Sequence, residues 1–188
     1  WSPKNYDGEF HGKVPLYKAL VHSYNVPTAR MALDVGLDNV VKTIRQLGIK
    51  RALNIYPSIV LGAAALAPIE LTQMYQTLAS GGFHLPLRSI RAVLSMNGEP
   101  LSRYPLSVEQ VVNPAATYLV NWTMQEAVRN GTGAPLYNQI PEALAVAGKT
   151  GTTDNLRDSW FAGFTGNYLA VVWLGMDDNT LDRKSTRL

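Results

Sequence analysis

The spacing of apolar residues changes character near Leu144, and that change limits the fold more than any other feature of these 188 residues. Before it, apolar side chains recur at helical intervals. After it, three short runs, Ala145 to Thr152, Ser159 to Thr165 and Tyr168 to Met176, read as strands, the last two joined by Gly166-Asn167 as a hairpin. Antiparallel strands that follow a series of helices predict an α+β fold and argue against an alternating parallel one.

The helical part divides at its glycines and prolines. Val14 to His22 reads as a short helix with Pro15 in its first turn, stopping at Ser23-Tyr24-Asn25. Pro27 to Val35 is a second helix closed by Gly36, and Asp38 to Leu47 a third, capped by Asp38 and closed by Gly48. These three form an all-α layer. Residues 54 to 67, small and apolar, carry no assignable period. Pro68 to Ala79 is a firmer helix, with Ile69, Leu71, Met74, Tyr75 and Leu78 on one face and Gly81-Gly82 at its end. Ser89 to Met96, Asn97-Gly98 and a return to Tyr104 predict a hairpin, and Pro114 to Arg129 a long helix with Asn113 as N-cap and Asn130-Gly131 as its stop.

Composition removes several functions. The chain has no Cys, which excludes thiol catalysis, zinc-thiolate sites and disulfides. Its net charge of +3 invites a nucleic-acid reading, but residues 181–188 hold +2 of it, and no cluster of Lys and Arg with interleaved aromatics precedes them. That terminal octet has no apolar period and is expected to be a non-native or disordered tail, leaving 1–180 as one partial domain. Ile59 to Ile69 is about half the ~20 residues that a membrane span needs. The first residues lack a starting Met and the regions of a signal peptide, so the chain is expected to begin inside a longer protein.

His11, His22 and His84 are the only histidines, and none stands in a metal spacing or beside a candidate Ser and Asp, so a Ser-His-Asp mechanism lacks support. His22, at a helix end, reads as a capping residue. An acyl-transfer site can work without His if a Lys is held among polar groups. Lys149 is that residue: it follows Ala145-Val146-Ala147-Gly148, precedes Thr150-Gly151-Thr152-Thr153, and is costly to bury unpartnered. Strand alternation puts Lys149 and Gly151 on one face and Thr150 and Thr152 on the other. Gly151 would let another backbone or a substrate lie close. Taken alone, Lys149 could also be an edge-strand lysine that blunts aggregation. Ser23 and Asn25, two apart at a helix break, offer a hydroxyl and a carboxamide, though alone they read as ordinary caps.

Together, Ser23-Tyr24-Asn25 and Lys149-Thr150-Gly151 resemble the SxN and KTG motifs of penicillin-binding proteins and serine β-lactamases. Asn5-Tyr6-Asp7, the run from Ala19 to Pro27, Pro68-Ile69-Glu70-Leu71 with Gly81-Gly82, Gly131-Thr132-Gly133, Lys149 to Asp154 and Asp158 to Gly163 extend the likeness. Across residues 4 to 178 the sequence resembles the transpeptidase domain of bifunctional, class A penicillin-binding proteins.

The resemblance implies a β-lactamase/transpeptidase-like fold, incomplete here, with an antiparallel sheet flanked by helices beside an all-α subdomain. It also implies a serine acyl-enzyme mechanism without cofactor or metal. Peptidoglycan stem peptides ending in D-Ala-D-Ala would be substrates, and β-lactams inhibitors. Catalytic roles would fall to Ser23 in proton transfer, Asn25 on the substrate amide and Lys149 as a positive charge. Thr150, Gly151 and Thr152 would line the substrate, with the Thr152 hydroxyl on its carboxylate and the Thr152 N–H in the oxyanion hole. The full-length protein would carry a membrane anchor and a glycosyltransferase domain, with this domain in the periplasm or outside the cell.

One departure is large: no Ser has Lys three positions on, so the SxxK nucleophile is absent. Only 22 residues precede Ser23, and truncation is expected to account for it. A β-lactamase is the alternative by fold, but the one Leu-Asn pair, Leu53-Asn54, has Lys50 where a deacylating Glu would stand. A noncatalytic peptidoglycan- or protein-binding module of the same fold is the other alternative. Trp160 and Phe161 could line the cleft or simply pack the hairpin on a helix.

Overall fold

A computed structural model describes residues 1–153, 157–176 and 180. Asp154 and the terminal octet lie outside the described residues. Among the described residues, five α-helices and seven strands follow in order: α1 (Leu16–Val21), α2 (Asn25–Val35), α3 (Leu37–Gln46), α4 (Pro68–Ala79), β1 (Phe83–His84), β2 (Ala92–Leu94), β3 (Pro100–Arg103), β4 (Glu109–Gln110), α5 (Pro114–Asn130), β5 (Ala147–Thr152), β6 (Asp158–Phe164) and β7 (Leu169–Gly175). Helices thus precede an antiparallel β5-β6-β7 sheet, the α+β order expected from the change of period.

The limits of these elements follow local chemistry. Pro68 opens α4, and Glu70 Oε2 accepts the Ala67 N–H at 2.8 Å. Asn113 caps α5 as expected, its Oδ1 accepting from Ala115 N at 2.9 Å and Ala116 N at 3.2 Å. Asp38 does not cap α3. Gly36, at φ 93°, ends α2 and starts α3 at once, leaving Asp38 in the first turn, where its charge faces the positive helix end. Pro15 sits just outside α1, not within its first turn. Residues Pro57–Leu61 form a short 3-10 helix in the stretch that lacked a period. The hairpin around Asn97-Gly98 is present but shorter than expected, and the two-residue β1-β4 pair had no sequence signal.

The core lies where α5 meets the sheet. Met124 of α5 packs on Ala147 and Phe164, with Leu20, Tyr75, Leu78 and Leu169 around them. Gly148 and Gly163 leave room for the Phe161 ring: a Cβ on either would come within 2.8 Å of it. Phe161 is therefore a packing residue of the sheet. The buried Thr77 hydroxyl donates to Leu47 O at 3.2 Å and ties α4 to the end of α3. Among the described residues β5 is an edge strand, with α5 packed on it and α1 on α5.

Candidate active site

Three chain segments converge at the free edge of β5. The first is the turn that ends α1. Ser23 N–H donates to Leu20 O at 3.2 Å and Tyr24 N–H to Ala19 O at 2.8 Å, the paired bonds of a Schellman ending. That ending needs a left-handed residue, usually Gly, after the C-cap His22, and here it is Ser23 at φ 58°. A side chain is kept where glycine would fit without strain, and the strain orients a hydroxyl. Ser23→Gly should be more stable than Ser23→Ala by about 1 kcal/mol, because both lose the hydroxyl and only Gly relieves the positive φ. Urea denaturation of the two variants measures the difference.

The second segment is β5. Lys149 Nζ donates to Ser23 Oγ, a side-chain bond across 126 positions, and to Thr150 O at 3.0 Å, with Thr150 Oγ1 at 3.4 Å. Burial lowers the Lys149 pKa from 10.5 to about 8. Alternation alone would separate Lys149 from Thr150. The long lysine stem instead curls over the strand edge, where the Thr150 carbonyl has no strand partner and accepts from the ammonium. Backbone parity confirms that edge: Thr153 N–H donates to Asp158 O of β6 at 3.1 Å, whereas Val146 N–H turns away to Tyr137 Oη at 3.1 Å. The N–H and C=O of Thr150 and Thr152 therefore face outward.

The third segment follows α5. Thr132 Oγ1 and Thr150 Oγ1 share a hydrogen bond of 2.7 Å, and Thr132 N–H donates to Val21 O at 3.3 Å. Gly131 makes this approach possible, because a Cβ there would lie 2.2 Å from Val21 O. Ser23, Lys149, Thr150 and Thr132 thus form one polar chain. Thr132 is the member that sequence reasoning did not single out. Its signal was Gly131-Thr132-Gly133, which reads equally well as a helix stop.

The other expected residues are placed as follows. Asn25 stands at the start of α2, its Nδ2 donating to Lys4 O at 2.8 Å, and it does not join the Ser23–Lys149 chain. Thr152 is exposed at the end of β5. Gly151 pairs with Trp160 across the strands, with a Cβ position 3.3 Å from the Trp160 Cβ, so a neighbouring strand makes one of the close approaches that a missing side chain allows. Trp160 lies against Trp173 with ring centres 6.0 Å apart, and the Trp173 Nε1–H is fixed by Asp158 Oδ1 at 2.9 Å. His22 serves as the C-cap of α1, its ring 5.4 Å from that of Tyr24. No cluster of three or more His, Asp or Glu side chains is placed to hold a metal among the described residues.

A serine hydroxyl held by a buried lysine beside an open strand edge, in an α+β fold, places the chain in a class of proteins, and comparison with known proteins says which. The chain belongs to the penicillin-binding protein transpeptidase domain family, whose model matches residues 1–186. It is 43% identical to penicillin-binding protein 1B of Vibrio cholerae over 180 residues, covering 95% of this chain and 23% of that protein. It is also 43% identical to penicillin-binding protein 1B of Escherichia coli, covering 95% and 21% respectively. The chain therefore spans less than a quarter of the length of these relatives. Penicillin-binding protein 1A from Haemophilus influenzae shares the fold with a TM-score of 0.88 at 22% identity, over 95% of this chain and 32% of that one. The PonA1 protein from Mycobacterium tuberculosis, in complex with penicillin V, superposes with a TM-score of 0.82 at 25% identity, over 94% and 51%.

Proposed function

We propose that this chain supplies two walls of a peptidoglycan D,D-transpeptidase site, with the attacking serine contributed by an SxxK motif outside these 188 residues. The observation that carries the reading is the Lys149 Nζ to Ser23 Oγ hydrogen bond, which joins the SxN and KTG motifs. In the reaction, the attacking hydroxyl adds to the carbonyl of the penultimate D-alanine. Its proton passes to Ser23 Oγ as the Ser23 hydroxyl proton moves to the departing nitrogen, with the Lys149 ammonium holding Ser23 in place, so that the C–N bond breaks, terminal D-alanine leaves and an acyl-enzyme remains. An amine from a second stem peptide takes the acyl group and completes the cross-link.

The open edge of β5 suits a substrate that lies alongside as an extra antiparallel strand. Thr152 N–H, on that edge, is the oxyanion donor, and the Thr152 hydroxyl meets the terminal carboxylate. Lys149 at a pKa near 8 is roughly nine-tenths protonated at pH 7, and so can attract that carboxylate while it donates to the Ser23 hydroxyl. β-Lactams, which present a reactive amide beside a carboxylate, enter the same site. By the family reading, this domain works on the outer side of the cytoplasmic membrane. No helix among the described residues is long and apolar enough to cross a membrane, and anchoring is assigned to other parts of the full-length protein.

The test is covalent labelling. The full-length protein should be acylated by a fluorescent penicillin and lose labelling when its SxxK serine is replaced. The isolated 188-residue chain should gain no mass on incubation with benzylpenicillin. An adduct on the isolated chain would place the nucleophile within it and overturn the assignment. A full-length protein with no labelling would move the function to binding.

A further inference from the structure

The N-terminal loop is held to the Ser23-Tyr24-Asn25 turn by polar contacts that the reaction scheme does not use. Of residues 1–13, Asn5 alone is buried, at 6% exposure. Its Oδ1 accepts the Val26 N–H at 3.0 Å, and its Nδ2 donates to Glu9 O at 2.7 Å. Next to it, the Lys4 carbonyl accepts from Asn25 Nδ2 at 2.8 Å. The His11 ring stacks on Tyr24 with centroids 4.2 Å apart and is itself fixed by Asp7 Oδ2 at 2.7 Å.

The reason for this arrangement lies at the start of α2. Its N-cap position is Tyr24, whose side chain makes no capping bond, so the first N–H groups of the helix need another acceptor. Asn5 Oδ1 takes the Val26 N–H as a local N-cap asparagine would, from 21 residues away. The same loop, through the Lys4 carbonyl, fixes which way the Asn25 carboxamide points. With one Nδ2 hydrogen committed to Lys4 O, the Asn25 Oδ1 and second Nδ2 hydrogen are held in one orientation.

We propose that Asn5 is a positioning residue for substrate recognition: by capping α2 remotely and seating Lys4, it sets the Asn25 carboxamide against the acylamino group of a substrate or penicillin. The inference rests on the transpeptidase reading above and on the role that the family resemblance implies for Asn25, that of holding the substrate amide. A ligand without the amide does not need the orientation, and this separates positioning from a general loss of structure.

The test uses the full-length protein and two probes, benzylpenicillin, with an acylamino side chain, and 6-aminopenicillanic acid, which has a free amine in its place. Asn5→Ala should slow acylation by benzylpenicillin about tenfold or more and change that by 6-aminopenicillanic acid less than threefold. Asn5→Asp, which keeps the capping oxygen but loses the Nδ2–H donor to Glu9 O, should restore part of the benzylpenicillin rate relative to Asn5→Ala. In an Asn25→Ala background, Asn5→Ala should add little further loss. Equal slowing with both probes, no slowing with either, or full additivity with Asn25→Ala would overturn the proposal while leaving the transpeptidase reading intact. Failure of the wild-type protein to acylate with either probe would overturn both.

Discussion

Replacing Lys149 by Ala in the full-length protein should lower the rate of acylation by a penicillin roughly 10²- to 10³-fold, the cost of removing one preorganised charged donor from a reacting centre. The loss follows from geometry. Lys149 Nζ is bonded to the Ser23 hydroxyl and to the Thr150 carbonyl, so its removal breaks the proton relay and the charge that faces the substrate carboxylate together. Stopped-flow or gel-based labelling gives the rate. A change below threefold would show that the pair is structural.

The same lysine sets a pH dependence with a definite sign. Burial disfavours the ammonium and lowers its pKa to about 8. The working form is the protonated one, so the second-order rate constant should fall as pH rises through about 8. Lys149→Arg, whose guanidinium stays charged far above that pH, should move the descending limb to higher pH even if the rate itself is reduced. A limb left in place by Lys149→Arg would assign it to another group.

The second large effect is expected at a residue with no side chain. Gly131→Val would put a Cβ 2.2 Å from Val21 O and 2.9 Å from Ala127 O, both backbone atoms that cannot move without shifting α1 or α5. The cost should be about 3 kcal/mol or more, in the range of overpacking, read as a lowered denaturation midpoint. Because Gly131 also brings Thr132 to Thr150, acylation in the folded fraction should fall as well. Thr132→Val, which keeps shape and loses only the hydroxyl, serves as the control for that part. A Gly131→Val protein of unchanged stability would show that the approach of α5 to α1 is loose.

These effects lie at different distances from what sequence can reveal. Helix starts were legible where a single residue dictates them: Pro68 opens α4 and Asn113 caps α5 because the local chain supplies φ or an acceptor oxygen. The cap of α2 was not legible, because its acceptor, Asn5 Oδ1, comes from 21 positions upstream. Asp38 misled for a related reason. It has the chemistry of a cap, but the positive φ of Gly36 had already begun the helix one residue earlier. The β1-β4 pair escaped because two-residue strands have no measurable period.

The sequence by itself determined the α+β order, through one change of apolar period, and the chemistry available, through a lysine set in a small-residue strand and a Ser and Asn at a helix break. It also carried the family resemblance in its motifs. Only the tertiary structure decided that Lys149 turns over the free edge of β5, that Gly131 lets α5 deliver Thr132 to Thr150, and that Trp160 fills the space beside Gly151. The physical reason is range. Period, caps and turns are set by neighbours within a few residues, whereas a polar chain built from residues 23, 132, 149 and 150 exists only once packing has brought three distant segments together.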